Sequence, residues 1–327
     1  MKLGIAGTGA IVREVLPLVS GWGWEAGALC GTPRSAADVR ELCAANLIPG
    51  AYTDYTVMLA EADIDAVYVA VPNFLHYSFV KQALEAGRHV IVEKPLTSNY
   101  REAAELAETA RAKNLYLFEA ITTIYLPNYA HIKELLPLIG TIKLVSCNFS
   151  QYSRRYDAFR AGEVLPAFDP VKSGGALMDL NVYNLHWLLG LFGTPKAVRY
   201  HANVEWGIDT SGVLTLNYDT FQAVSIAAKD CAAPRQCIIQ GVDGYILQNS
   251  PANQCREVLL HLNDGAEKSF AENPANRLEP EFRFFAAQIA SGDRGACYAA
   301  LDHSLAVSRV QTDARLDAGI RFPADEE

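Results

Sequence analysis

The feature that most restricts the fold is a pair of apolar runs, the uninterrupted Ala66–Val71 and the run His89–Val92, each set between segments of helical periodicity. A strand that is apolar at every residue must be covered on both faces. Helices between such strands supply the cover, which predicts a parallel, doubly wound α/β sheet. The same rhythm places strands at Leu3–Ala6, Glu25–Cys30 and Tyr116–Phe118. It places helices over Ile11–Val19, Ala36–Ala45, Tyr77–Ala86 and Tyr100–Lys113.

After about Thr122 the texture changes. A helix over Pro127–Leu138 precedes a strand at Ile142–Ser150. Strands are then expected at Ala197–Asn203, Gly212–Asn217, Phe221–Ala228, Arg235–Gln240, Tyr245–Gln248, Val258–Leu262 and Lys268–Phe270. Asp219-Thr220 and Asp243-Gly244 read as hairpin turns, so this sheet is mostly antiparallel. Helices over Met178–Leu191, Glu279–Ser291 and Leu301–Ala318 complete the pattern, followed by an acidic tail expected to fray. The chain of 327 residues thus divides into a dinucleotide-binding domain over 1–122 and an α+β domain over 123–327, with a large open sheet.

Half the residues are hydrophobic and a fifth are charged, which suits two packed cores. A net charge of -9 excludes a basic footprint, so no nucleic-acid partner is expected. No apolar run is long enough for a bilayer, and the start shows no secretory pattern, so neither membrane nor export is expected. Seven scattered cysteines without a C-x-x-C pair point to reduced thiols in a cytoplasmic protein and to no metal site.

Three segments carry chemistry. Gly7-Thr8-Gly9-Ala10-Ile11 turns from the first strand into a helix. Gly7 allows the tight turn and Gly9 lets a pyrophosphate approach the helix amino end, with Val12 at the third glycine position. After the second strand no acid stands ready for a ribose diol. Instead Thr32, Arg34 and Ser35 offer a charge and two hydroxyls for a 2′-phosphate, which favours NADP over NAD. Pro72, Asn73 and His76, after the Ala66–Val71 strand, are placed to touch the cofactor or line the crevice.

The second segment is Glu93-Lys94-Pro95 at the carboxyl end of a buried strand, where open parallel sheets bind ligands. There Lys94 can hold or move a proton, with Glu93 beside it. The third runs from Gly174-Gly175 to His186. The glycines bring backbone close to something, and Asp179, Tyr183 and His186 fall on one face at helical spacing. A polar stripe on an otherwise apolar helix marks either a ligand site or a hydrogen-bonded seam.

The opening glycine turn, Glu93-Lys94-Pro95, Phe118-Glu119-Ala120 and the run Gly174–Tyr183 resemble the glucose-fructose oxidoreductase/inositol dehydrogenase (Gfo/Idh/MocA) family over nearly the whole chain. The resemblance implies a Rossmann domain, a second domain whose open sheet forms a homodimer or higher homo-oligomer, and hydride transfer with a sugar, polyol or cyclic diol. It implies that Lys94 is the catalytic lysine and Asp179 its acidic partner. Tyr183 stands where inositol dehydrogenases carry His, as in the dihydrodiol dehydrogenase-like branch, and Asn181 stands where Gly is common.

A phenol with an unperturbed pKa of ~10 needs a nearby ammonium to act at neutral pH. Tyr183 is therefore assigned the hydroxyl proton, Lys94 the part of its electrostatic partner or of the alternative proton carrier, and Asp179 the orientation of that ammonium. Tyr125, His186 and, more remotely, Arg154, Arg155 and Tyr156 are assigned to the substrate side. Two rivals keep the fold: a dinucleotide-binding regulator without turnover, and a glycosidase that uses NAD transiently.

Overall fold

A computed structural model describes residues 1–326. The chain forms two compact units, one of residues 1–120 with 281–302, the other of residues 121–280 with 303 onward.

The first unit alternates β1 (Lys2–Ala6), α1 (Ala10–Val15), β2 (Glu25–Cys30), α2 (Ala36–Asn46), β3 (Gly50–Tyr52), α3 (Tyr55–Glu61), β4 (Ala66–Val69), α4 (His76–Glu85), β5 (His89–Glu93), α5 (Tyr100–Ala112) and β6 (Leu117–Ala120). The six strands are parallel, in the order β3-β2-β1-β4-β5-β6. Leu3, Ile5, Val67, Val69, Val90 and Val92 have no exposed surface, as the continuous apolar runs require.

The expected helix to Val19 ends as an α-helix at Val15, because Pro17 has no N–H for the Arg13 carbonyl. The chain continues as a tighter 3-10 turn over Leu16–Trp22 and stops at Gly23, whose φ is +74°. β3 and α3 escape sequence reading because a three-residue strand has no period. Asp54 nonetheless caps α3, accepting from the N–H groups of Thr56 and Val57 at 2.9 and 3.2 Å.

A single boundary at residue 122 leaves out one return of the chain. Residues 281–302, in α9 (Glu279–Ser291) and the start of α10 (Gly295–Asp317), belong to the first unit. Aromatic surface draws them there. Phe282 stacks on Trp22 at 4.3 Å and meets the Tyr68 ring edge-on, while Phe285 stacks on Phe118 at 4.5 Å.

The second unit holds α6 (Pro127–Leu135), β7 (Ile142–Ser150), α7 (Arg154–Arg160) and α8 (Val182–Phe192). It continues through β8 (Ala197–Glu205), β9 (Ile208–Asn217), β10 (Gln222–Ala228), β11 (Gln236–Gly241), β12 (Gly244–Gln248), β13 (Val258–Leu262) and β14 (Glu267–Phe270). Its eight strands run β14-β13-β12-β11-β7-β10-β9-β8, antiparallel except for the β7–β10 pair. One face buries Val145, Cys147, Ala223, Cys237, Ile239, Ile246 and Leu260 against Val182, Leu185 and Leu189 of α8.

The start of the acidic tail is anchored. Arg315, 1% exposed, grips Asp325 through two parallel bonds of 2.6 and 2.7 Å, and Phe322 is buried beneath the guanidinium. All seven cysteines are free thiols, and all but Cys231 are buried. Among the described residues no helix is long and apolar enough to cross a membrane.

Candidate functional site

In the first unit the expected cofactor residues collect at the carboxyl ends of β1, β2, β4 and β5. Gly7 adopts φ +124°, and a Cβ there would lie 2.2 Å from the Ala70 carbonyl oxygen, so only glycine lets the turn pack on the end of β4. Gly9 is exposed, and a Cβ there would meet nothing within 4 Å. That open space above Ala10 and Ile11 is room for a pyrophosphate at the first turn of α1, and the segment fits a dinucleotide. Val12, in place of a third glycine, is fully buried in the core.

The turn after β2 packs on the same corner. A Cβ at Gly31 would come within 3.3 Å of the Thr8 methyl and 2.6 Å of Ser35 Oγ. The hydroxyls of Thr32 and Ser35 lie 3.2 Å apart, and Ser35 Oγ accepts from the Thr32 N–H at 2.9 Å. They brace the loop that carries the exposed Arg34. Pro72 is exposed and Asn73 half-buried in a 3-10 turn just beyond β4.

His76 departs from expectation: it lines no crevice. It is fully buried, with Nδ1 2.8 Å from the Pro95 carbonyl oxygen and Nε2 2.9 Å from that of Val71. Burial holds its pKa below the usual 6.5 against the pull of the two carbonyls. Its place is beneath the loop that follows Lys94. That loop is held from below at further points. The Leu96 N–H donates to buried Glu119 at 2.8 Å, the Ser98 N–H to Glu102 at 3.0 Å, and the Glu102 N–H to Asn99 at 2.9 Å. The Tyr68 hydroxyl donates to Glu93 at 2.5 Å. Lys94, half-buried and joined to Pro95 by a cis peptide bond, thus stands on a braced backbone at the end of β5.

In the second unit the paired glycines do bring backbone close to something, but that something is the protein. A Cβ at Gly175, φ +104°, would lie 2.1 Å from Asp209 Oδ1, and one at Gly174 would lie 2.7 Å from the Pro166 carbonyl oxygen. Asp209 is buried and accepts from the Leu177 N–H at 2.6 Å and the Tyr200 hydroxyl at 2.8 Å. Burial raises its pKa to about 6, with the Leu177 N–H, the Tyr200 hydroxyl and Lys229 opposing.

The helix expected from Met178 begins as a π-helical turn over Leu177–Asn181 before α8. The wider turn breaks the i, i+4, i+7 alignment. Asp179 and Tyr183 stay half-buried, whereas His186 turns inward with no exposure, its Nδ1 3.0 Å from His303 Nε2. His186 therefore does not present itself to a substrate. Asn181 is likewise interior, bonded to Ser225 and Asn184. The Tyr183 ring lies 5.8 Å from that of Phe149. Tyr125 is half-buried in the 3-10 turn Thr122–Tyr125. Arg154 and Arg155 are exposed on α7, and the Tyr156 hydroxyl donates to Glu205 at 2.8 Å.

One group escaped sequence reading. Lys229, directly after β10, donates from Nζ to Asp179 Oδ2 at 2.8 Å and to the Ala167 carbonyl at 2.8 Å, with its side chain 3% exposed. The available signal was a lysine ending the mostly apolar strand Ala223–Ala228, which has no motif around it.

Residues 1–120 match the model of an oxidoreductase family with an NAD-binding Rossmann fold, and residues 129–247 match the GFO/IDH/MocA C-terminal domain. The chain is 35% identical to scyllo-inositol 2-dehydrogenase (NADP(+)) IolU of Bacillus subtilis, over 90% of each. It is 29% identical to trans-1,2-dihydrobenzene-1,2-diol dehydrogenase of Danio rerio, over 72% of this chain and 70% of the other. Its fold matches KijD10, a 3-ketoreductase from Actinomadura kijaniata solved with NADP and TDP-benzene, at a TM-score of 0.84 and 21% identity over 98% of both chains. The glycine turn, the braced lysine loop and these likenesses agree: the chain belongs to the GFO/IDH/MocA family of oxidoreductases.

Proposed function

We propose that the protein is an NADP-dependent dehydrogenase or reductase of a small polyhydroxylated substrate, a sugar, a polyol or a cyclic diol. The observation that carries this reading is the placing of Lys94 and the Gly7–Ile11 turn at the carboxyl ends of one parallel sheet, the edge where such sheets bind ligands. The turn, with Thr32, Arg34, Ser35, Pro72, Asn73 and Glu93, would hold the cofactor. Relatives whose names include NADP(+) support the choice over NAD.

Bound NADP supplies the hydride acceptor or donor. The chain's own groups manage the proton. Tyr183 takes it from the substrate hydroxyl or returns it to a carbonyl, Asp179 sets the charge on that helix, and Lys94 is the proton-handling group at the cofactor edge of the parallel sheet. Tyr125 borders the substrate. The outer face of the second sheet serves as the interface of a homo-oligomer, and the free thiols suit a cytoplasmic setting.

The test is NADP+ and NAD+ reduction with scyllo-inositol, D-xylose and trans-1,2-dihydrobenzene-1,2-diol. At least one substrate should yield NADPH faster than NADH. Tyr183→Phe and Lys94→Ala should each lower that rate by about 100-fold or more while NADPH still binds. No reduction with any of the three, or full rates in both variants, would overturn the reading.

A further inference from the structure

We infer that Lys229 is a positioning residue of the reaction, a buried cation that fixes the Asp179 carboxylate for its work beside Tyr183. The inference rests on the reading of Asp179 and Tyr183 given above. A lysine is rarely buried unless its charge is matched, and this one is enclosed on three sides. Asp179 Oδ2 and the Ala167 carbonyl each accept from Nζ at 2.8 Å, and the Phe168 ring lies 4.8 Å beneath it. The Lys229 backbone N–H donates to the Thr210 carbonyl at 2.8 Å, so the ammonium projects from a pinned strand end.

Exposure divides the pair. Lys229 keeps 3% of its side-chain surface, too little to touch a substrate, whereas Asp179 keeps 35%. The carboxylate therefore faces outward from the unit while its rotamer is set from within. An ammonium at this distance gives the Asp179 carboxylate a fixed, charge-assisted partner, which leaves the substrate proton to Tyr183 and gives Asp179 an orienting role. The same Nζ ties Asp179 to the segment Pro166–Ala167, against which Gly174 packs. The loop and the π-helical turn are thereby held as one piece.

The experiment uses the full chain with NADP+ and whichever of scyllo-inositol, D-xylose and trans-1,2-dihydrobenzene-1,2-diol is turned over. Asp179→Asn, Lys229→Met, Lys229→Arg and the double variant Lys229→Met/Asp179→Asn are compared for kcat, KM and NADPH affinity. Lys229→Met should lose about 30-fold or more in kcat with NADPH affinity within about twofold, and Lys229→Arg should regain most of the loss. The double variant should be no slower than Asp179→Asn, because the lysine acts only through that carboxylate. The double variant also removes both charges together, so it decides the matter if Lys229→Met leaves an unmatched carboxylate that prevents folding. If Asp179→Asn is slow but Lys229→Met turns over at the wild-type rate, or if the two losses multiply in the double variant, the inference is wrong and the reading of the site stands. If Asp179→Asn itself turns over normally, the reading of the site fails and the inference fails with it.

Discussion

A Cβ on Gly175 would lie 2.1 Å from Oδ1 of Asp209, closer than any real side-chain carbon approaches an oxygen. The glycine sits two residues before Leu177, whose N–H the same carboxylate accepts. The two residues together fix where the π-helical turn carrying Asp179 begins. Gly175→Ala combines a clash with backbone at φ +104°, and should cost about 2–5 kcal/mol of stability. Urea denaturation measures it, and a loss under about 1 kcal/mol would show that the carboxylate can move aside.

Asp209 also gives stability a pH dependence. Its pKa rises from 3.8 to about 6 because it is buried, so the folded protein binds this proton more tightly than the unfolded chain does. The stability it contributes is whole below pH 3.8 and is lost as pH rises through about 6. A rise from 3.8 to about 6 corresponds to roughly 3 kcal/mol at most. Asp209→Asn, compared with wild type by urea denaturation at pH 4 and pH 7, should therefore fare better at pH 7 by up to that amount. An unchanged difference would show that the carboxylate is no harder to ionise in the fold.

Arg34 is exposed, on a loop braced by Thr32 and Ser35. Charge-assisted bonds to a 2′-phosphate contribute about 1.5–3 kcal/mol, so Arg34→Ala should weaken NADPH binding roughly 10- to 100-fold and leave NADH unchanged. Fluorescence titration with the two cofactors in parallel measures this. Equal losses for both would remove Arg34 from the 2′-phosphate.

The outer face of the second sheet predicts association. Register sets Ile238 beside Leu247 and Leu247 beside Leu259, all half-buried, with exposed Tyr245 and Leu144 nearby. An apolar face of this kind on a single chain marks an interaction surface. Sedimentation should show an oligomer that Leu247→Glu converts to monomer, with the fold retained by circular dichroism. A wild-type monomer at micromolar concentration would exclude the interface.

Periodicity and punctuation determined most of the architecture. The continuous apolar runs specified the parallel sheet, and the glycine turn and the Glu93-Lys94-Pro95 strand end marked its ligand edge, because local pattern decides which faces need cover and where strands stop. The hairpin turns at Asp219-Thr220 and Asp243-Gly244 specified antiparallel pairs in the same way. Tertiary structure alone decided the rest. It turned His186 and His76 inward, gave Gly175 a carboxylate to accommodate, and brought Lys229 to Asp179 across fifty residues. Such pairings depend on which strand lies beside which turn and on a helix whose turn is one residue too wide. Neither leaves a period in the sequence, because burial of a polar group is settled by partners far along the chain.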